Sequence, residues 1–220
     1  MERLSLYRKD EKGLPLRLTE IYGTRRPAEE GGTEIPEGTW AMAVAAFVID
    51  SRGRILMTLR APEKEAWPGY WENSGGASRF GETAEESMVR ELFEETGIPV
   101  TEEDLEEIAT VWFEQSVLKV YLIHKDWPLE DIVLQAGETT DARWCTVEEY
   151  EDVIARGLMC GPVKERYEAL RETILEHLER WKKDSISAER QEITIYGKTF
   201  GCTSGGEGAG FFPGAGQRAH

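Results

Sequence analysis

Hydrophobic and polar residues alternate along RLSLYRK and LPLRLTEIY, two runs that flank the turn signal DEKG and predict a β-hairpin. The stretch TWAMAVAAFVI, 39–49, is apolar nearly throughout, as a strand covered on both faces would be. The turn DSRG then leads into a second strand, RILMTLR. Further on, EIATVWFEQSVLKVYLIHK reads as a pair of strands and ARWCTV as another short one.

Helical spacing takes over elsewhere. Thr83 is a good N-cap with Glu86 three residues on, and Gly97 is a good residue to end a helix, so a helix is predicted from Ala84 to Thr96. At about 100° per residue, Met88, Val89, Leu92 and Phe93 share one arc, expected to face the core. Thr146 and Glu149 form a second capping-box pattern, opening a helix through EEYEDVIARG. A longer helix is predicted from Pro162 to Lys183. Its stripe of Val163, Tyr167, Leu170, Ile174, Leu178 and Trp181 serves either core packing or a contact between the copies of a homodimer. QEITIYGKTF has the composition of an added edge strand. From Gly201 the chain is dense in glycine without apolar periodicity, which predicts disorder. The expected organisation is a hairpin and loop extension at 1–37, one main domain at 38–184, an edge strand at 185–200 and a disordered tail at 201–220.

Composition narrows the function. With 220 residues and 40% hydrophobic content the chain can bury one good core. No apolar run approaches the roughly 20 residues of a spanning helix, so no membrane partner is expected. The charged, alternating start is unlike a secretory leader. Three scattered cysteines, Cys145, Cys160 and Cys202, argue against a disulfide framework and fit a reducing cytoplasm. Cys145 and Cys160 read as small buried residues, and His124, His177 and His220 lack ligand spacing. A formal charge of -16 argues against a nucleic-acid surface, since phosphate backbones are held by clustered Lys and Arg. An anionic substrate would need help from a cation.

That cation has a candidate site. Glu91, Glu94 and Glu95 fall on an arc of about 100° beside the apolar arc of the first helix. A charge run on a helix is ordinarily a solvated face. Solvated glutamates, however, usually alternate with lysine at i+4, and here the helix offers only Arg90. Glu91 and Glu95 are a like-charge i, i+4 pair, costing a few tenths of a kcal/mol, roughly, on an isolated helix. A hard divalent cation would remove that repulsion, since Mg²⁺ prefers carboxylate and phosphate oxygens.

Gly76, Glu82, Arg90, Glu91, Leu92, Glu94, Glu95, Gly97 and Ile98 match the Nudix box at each of its fixed positions. On these residues the chain resembles the Nudix superfamily, and the likeness extends over Thr39 to Gly157 through the apolar strands, the PGYWENSGG approach and Glu138. The resemblance implies an α/β fold, an α/β/α sandwich with a mixed β-sheet. It implies hydrolysis of a pyrophosphate bond in a nucleoside-diphosphate-linked or other organic diphosphate, with Mg²⁺ or alternatively Mn²⁺. It makes Glu91, Glu94 and Glu95 the catalytic, metal-binding carboxylates and the Gly76 carbonyl a further ligand. Glu82 and Arg90 would orient the cluster by charge-assisted hydrogen bonds. Glu91 is the first choice of general base, with Glu138 and Glu114 as candidates outside the box.

The segment from Trp71 to Ser78, WENSGGAS, also resembles isopentenyl diphosphate isomerases of the Nudix type. Those carry a similar Trp-x-Asn-Ser segment followed by a catalytic Cys and a metal-binding His, and this chain has neither there. Protonating an alkene requires a placed acid, so a hydrolase is favoured over an isomerase. A binding module that has lost catalysis is a third reading, opposed by the intact carboxylates. Trp40, Trp67, Tyr70, Trp71 and Trp112 offer aromatic surfaces for a base or for the core. Arg60, at a strand end, is a candidate for a substrate phosphate or for a surface ion pair.

Overall fold

The computed structural model describes residues 3–24 and 35–199, with side chains through residue 181. The chain divides into two compact units, Met1–Lys183 and Asp184–His220. The first is built on a nine-stranded mixed sheet. Its strands are β1 (Arg3–Lys9), β2 (Pro15–Thr24), β3 (Trp40–Ile49), β4 (Ile55–Arg60), β5 (Trp71–Glu72), β6 (Gly75–Ala77), β7 (Leu105–Trp112), β8 (Ser116–His124) and β9 (Thr139–Cys145). The helices are α1 (Ala84–Thr96), α2 (Val147–Ala155) and α3 (Gly161–Thr199).

β3 organises the sheet. It runs parallel to β8 along its whole length, Ala41 beside Ser116 to Ile49 beside His124. Its other edge is shared by β1, β6 and β4, all antiparallel. Being interior, β3 must be apolar on both faces, which is why its sequence lacks alternation. Met42, Val44, Ala46 and Val48 face one core with Met88 and Leu92 of α1. Phe47 and Ile49 face the other, with Tyr150 and Val153 of α2 and Val163, Tyr167, Ile174 and Leu178 of α3. The result is the α/β/α sandwich that the sequence resemblance implies. The stripe on α3 is core packing, for Leu170 and Trp181 also rest against this second cluster.

The predicted hairpin forms. Asp10 shapes its turn by accepting from the backbone N–H groups of Lys12 and Leu14, each at 2.8 Å. Leu6 pairs with Ala41 and Tyr7 with Trp40, so β1 continues the main sheet. The two-residue β5 and the Gly-rich β6 carry too little alternation to be read from sequence.

Two expectations are corrected. The stretch expected as an edge strand at 185–200 is, over its described residues, helical to Thr199, and neither Gly nor Pro occurs between Pro162 and Gly197 to stop the helix. Phe93 does not face the core and is 56% exposed. The buried positions of α1 are Ala84, Ser87, Met88, Leu92 and Thr96. At about 100° per residue that arc is centred near Met88, with Glu91 and Glu95 inside it and Phe93 outside it. The tail expected to be disordered at 201–220, with Cys202 and His220, lies outside the described residues.

Candidate active site

α1 is fixed at both ends by local chemistry. The Thr83 hydroxyl accepts from the Glu86 N–H at 3.0 Å while the Glu86 carboxylate accepts from the Thr83 N–H at 2.8 Å. At the other end Gly97 takes φ 72°, and its N–H returns to the Phe93 carbonyl. These two caps set the rotation at which α1 presents its carboxylates.

Beneath the acidic arc lies β6, and its glycines make the room. A Cβ on Gly76 would overlap the Glu91 carboxylate, and one on Gly75 would run into the Val44 carbonyl. Only bare backbone lets the sheet and the carboxylates approach so closely. Gly75 donates its N–H to Glu95 at 3.3 Å.

Glu91, Glu94, Glu95 and Gly76 line one polar cavity of about 400 Å³, together with Arg60, Lys64, Arg79, Gln135 and Glu138. A larger cavity of about 570 Å³ lies at the β3–β4 turn, but it contains none of the acidic cluster. The acidic cluster therefore opens on the smaller one.

Arginines organise the charge. Arg90 contacts Glu82 at 2.7 Å, Glu91 at 2.9 Å and Glu94 at 3.2 Å, and it donates to the Ala77 carbonyl at 3.2 Å. Burial works against its charge, but Glu82 and Glu91 outweigh this and hold the guanidinium firmly protonated. Glu82 also accepts from the Arg79 N–H and the Ser87 hydroxyl. Although burial raises its pKa, the hydrogen bonds from Arg90, Arg79 and Ser87 prevail and keep it below the usual carboxylate range. Glu94 is gripped at both oxygens by Arg79, at 3.0 and 3.2 Å. Arg79 is the partner that the helix sequence lacks, delivered from the loop before it.

Glu95 behaves differently. It opens to the cavity but is otherwise packed in protein, and burial raises its carboxyl well above the ordinary range. Glu72 and Glu91 add to that, while hydrogen bonds from Ser74 and Gly75 oppose it. The half-buried Glu72 carboxyl is likewise raised by desolvation, against the pull of Arg60 at 2.6 Å.

Of the other candidates, Arg60 reaches the cavity while paired to Glu72, and Glu138 lines it while paired to Lys64. Trp71 is not among the cavity residues: it packs on the second core, with Arg143 4.4 Å above its ring. Side chains alternate along a strand, and those of Trp71 and Glu72 diverge to opposite faces. Glu114 is exposed in the β7–β8 turn and is not a cavity residue. Trp40 and Trp112 pack on one another at 4.9 Å beside the first core. Cys145 and Cys160 are buried free thiols.

Sequence reasoning missed Arg79, Lys64, Glu72 and Gln135. It also missed the hairpin's part in the site. The buried Ser5 hydroxyl donates to the Arg79 carbonyl at 2.8 Å and accepts from the Gly81 N–H at 3.1 Å, so β1 braces the loop carrying Arg79 and Glu82.

Among the described residues no three His, Cys, Asp or Glu side chains approach closely enough to form a ready cation cage. The donor set nonetheless fits one. It is all oxygen, it opens on one cavity, and in Arg90 it already holds a positive group between Glu91 and Glu94. Oxygen donors suit Mg²⁺ or Mn²⁺ better than thiolate-seeking ions.

The sequence model of the NUDIX domain matches residues 39–159. The chain belongs to the Nudix family. An uncharacterized Nudix hydrolase of Listeria monocytogenes is 31% identical over 127 residues, which are 57% of this chain and 75% of the relative. On family and relatives, this is a Nudix hydrolase. The isopentenyl-diphosphate Delta-isomerase of Escherichia coli is 38% identical over 61 residues, only 27% of this chain and 34% of that one. Among solved structures, a Deinococcus radiodurans protein aligns with a TM-score of 0.56 at 24% identity, covering 76% of this chain and 98% of its own. That likeness bears on the Nudix fold alone. No helix among the described residues is long and apolar enough to cross a membrane.

Proposed function

We propose that this Nudix hydrolase cleaves the pyrophosphate bond of a nucleoside-diphosphate-linked or other organic diphosphate, using Mg²⁺ with Mn²⁺ as a substitute. The observation that carries this is the convergence of Glu91, Glu94, Glu95 and Gly76 on one polar cavity whose rim also holds Arg60, Lys64 and Arg79. A cavity that holds both carboxylates and cations matches a metal–diphosphate ligand, anionic but accompanied by a cation. A solved structural neighbour from Francisella tularensis is named a bifunctional NMN adenylyltransferase/ADP ribose pyrophosphatase, and ADP-ribose is of the proposed class.

The metal, held by Glu91, Glu94, Glu95 and the Gly76 carbonyl, would neutralise the diphosphate and acidify a bound water. The protein's own part is positioning and proton transfer. Arg79 and Arg90 orient Glu94 and Glu91, and Glu82 orients Arg90. Glu91 takes the proton of the attacking water as its oxygen bonds to phosphorus, and the bridging oxygen leaves with the second phosphate. The scattered cysteines support a reducing cytoplasm as the setting of the reaction.

The partial likeness to the isomerase supplies a second reading. Against it, the WENSGGAS segment holds neither the Cys nor the His that the isomerases carry there.

The test is product analysis with Mg²⁺ and with Mn²⁺ over nucleotide sugars, dinucleotides, nucleoside triphosphates and isopentenyl diphosphate, with Glu94→Gln as the blank. Metal-dependent cleavage absent from the blank is expected. Conversion of isopentenyl to dimethylallyl diphosphate would instead establish the isomerase.

A further inference from the structure

A separate cavity, of about 180 Å³, lies between the hairpin and the start of α1 and shares no residue with the carboxylate cavity. Pairing in the sheet builds one side of it. Tyr7 of β1 is the register partner of Arg17 of β2, so the two side chains emerge together on one face. That face is the one α1 covers, for Tyr7 packs in the first core with Met88. Lys119 of β8 lines the same cavity, and Thr83, Ala84 and Glu85 at the start of α1 complete it.

Tyr7 is the unexplained member. It is only 5% exposed, yet its hydroxyl has no hydrogen-bond partner among the described residues. Buried phenols ordinarily find one. Tyr121 of the same core does, donating to Glu85 at 2.9 Å, whereas Tyr7 lines the cavity. Burial pushes the Tyr7 phenol up against the pull of Arg17, so it stays a hydroxyl and can donate.

The groups beside it are donors too. Arg17 reaches from the hairpin to the Gly81 carbonyl, which occupies one of its five N–H groups. Ala84 is the first residue of a 13-residue helix, where an N–H has no acceptor within the helix, and the Thr83 hydroxyl is committed to the N–H of Glu86. Glu85 is the one carboxylate among the described lining residues, and Lys119 at 3.0 Å and Tyr121 already engage it. In a chain of net charge -16, this cavity therefore has two cations to one carboxylate and an unpaired hydroxyl. What it lacks is an acceptor.

We propose that this cavity binds a phosphate group, held by the Tyr7 hydroxyl, the Arg17 guanidinium, the Lys119 ammonium and the Ala84 N–H. The positive end of the α1 dipole favours an anion at the same place. The site involves no metal and none of the carboxylate cavity, so it stands independently of the hydrolase reading. A phosphate there joins the hairpin to α1.

Calorimetric titration of the full chain tests it, with EDTA present to keep divalent metal out of the carboxylate cavity. Inorganic phosphate is the first probe, and glycerol phosphate distinguishes a free ion from the phosphate group of a larger molecule. The wild type is expected to bind at least one of them. Tyr7→Phe removes a single oxygen from the site and should weaken binding ~10-fold, and Arg17→Gln ~10- to 100-fold, as for loss of a hydrogen bond to a charged group. Lys64→Gln, which alters the carboxylate cavity, should leave the affinity unchanged. Should Arg17→Gln fail to fold, the near-isosteric Tyr7→Phe decides alone. Binding of neither probe, or undiminished binding by Tyr7→Phe, would overturn the proposal. A loss confined to Lys64→Gln would also overturn it, by placing the anion in the carboxylate cavity.

Discussion

The Glu91 carboxylate lies against the Cα of Gly76, with no space between them for a methyl group. β6 and α1 are thereby locked at one spacing, and the acid arc is held over bare backbone. We expect Gly76→Ala to push Glu91 out of place and lower kcat roughly 100-fold, the effect of an ångström-scale misplacement in a preorganised site. Near-wild-type turnover would show that the contact is incidental.

Ser5 is buried, and its hydroxyl ties β1 to the loop before α1. Ser5→Ala leaves the Gly81 N–H unpaired, which should destabilise the fold by about 1–3 kcal/mol. Because that loop carries Arg79 and Glu82, kcat should also fall, roughly 10-fold, as when a supporting residue is lost. A loss of stability with unchanged kcat would confine Ser5 to the fold.

Metal should stabilise the native state. Glu91 and Glu95 repel one another, and a cation bound only by the folded protein adds about 2.7 kcal/mol when present at 100 times its Kd. We expect Tm to rise through an Mg²⁺ titration in the wild type and to respond weakly in Glu94→Gln. A flat titration of the wild type would contradict the metal assignment.

Acid should act through Glu85. Burial raises its pKa, but hydrogen bonds from Lys119 at 3.0 Å and Tyr121 at 2.9 Å prevail and leave it below the ordinary value. A carboxylate depressed in the folded state stabilises above its unfolded pKa, about 4.3, and that contribution is lost as pH falls through the folded value. The urea midpoint of the wild type should therefore exceed that of Glu85→Gln at pH 6, and the gap should close toward pH 3. A constant gap would mean that Glu85 acts through packing and not through charge.

Neighbouring residues on α1 should differ sharply. Leu92 is fully buried, and Leu92→Ala should destabilise by about 2–5 kcal/mol. Phe93→Ala, on the exposed side, should stay within about 0.5 kcal/mol. Comparable losses in the two variants, read from urea denaturation, would mean that α1 is rotated from the orientation described.

The sequence by itself determined the features governed by chemistry within a few residues. Thr83 and Gly97 bound α1 because capping hydrogen bonds reach only one turn. β3 was legible as a doubly covered strand because burial on both faces removes alternation. The box residues were legible because their spacing reflects one helix and the loop before it. Tertiary structure alone decided what distant segments supply: Arg79 clamping Glu94, Ser5 bracing the loop, Gly161 seating Trp67. It also decided that Glu91 and Glu95 lie within the buried arc and Phe93 outside it. Periodicity places apolar side chains toward a core, but it does not reveal that a pair of glycines on a neighbouring strand will make room there for carboxylates.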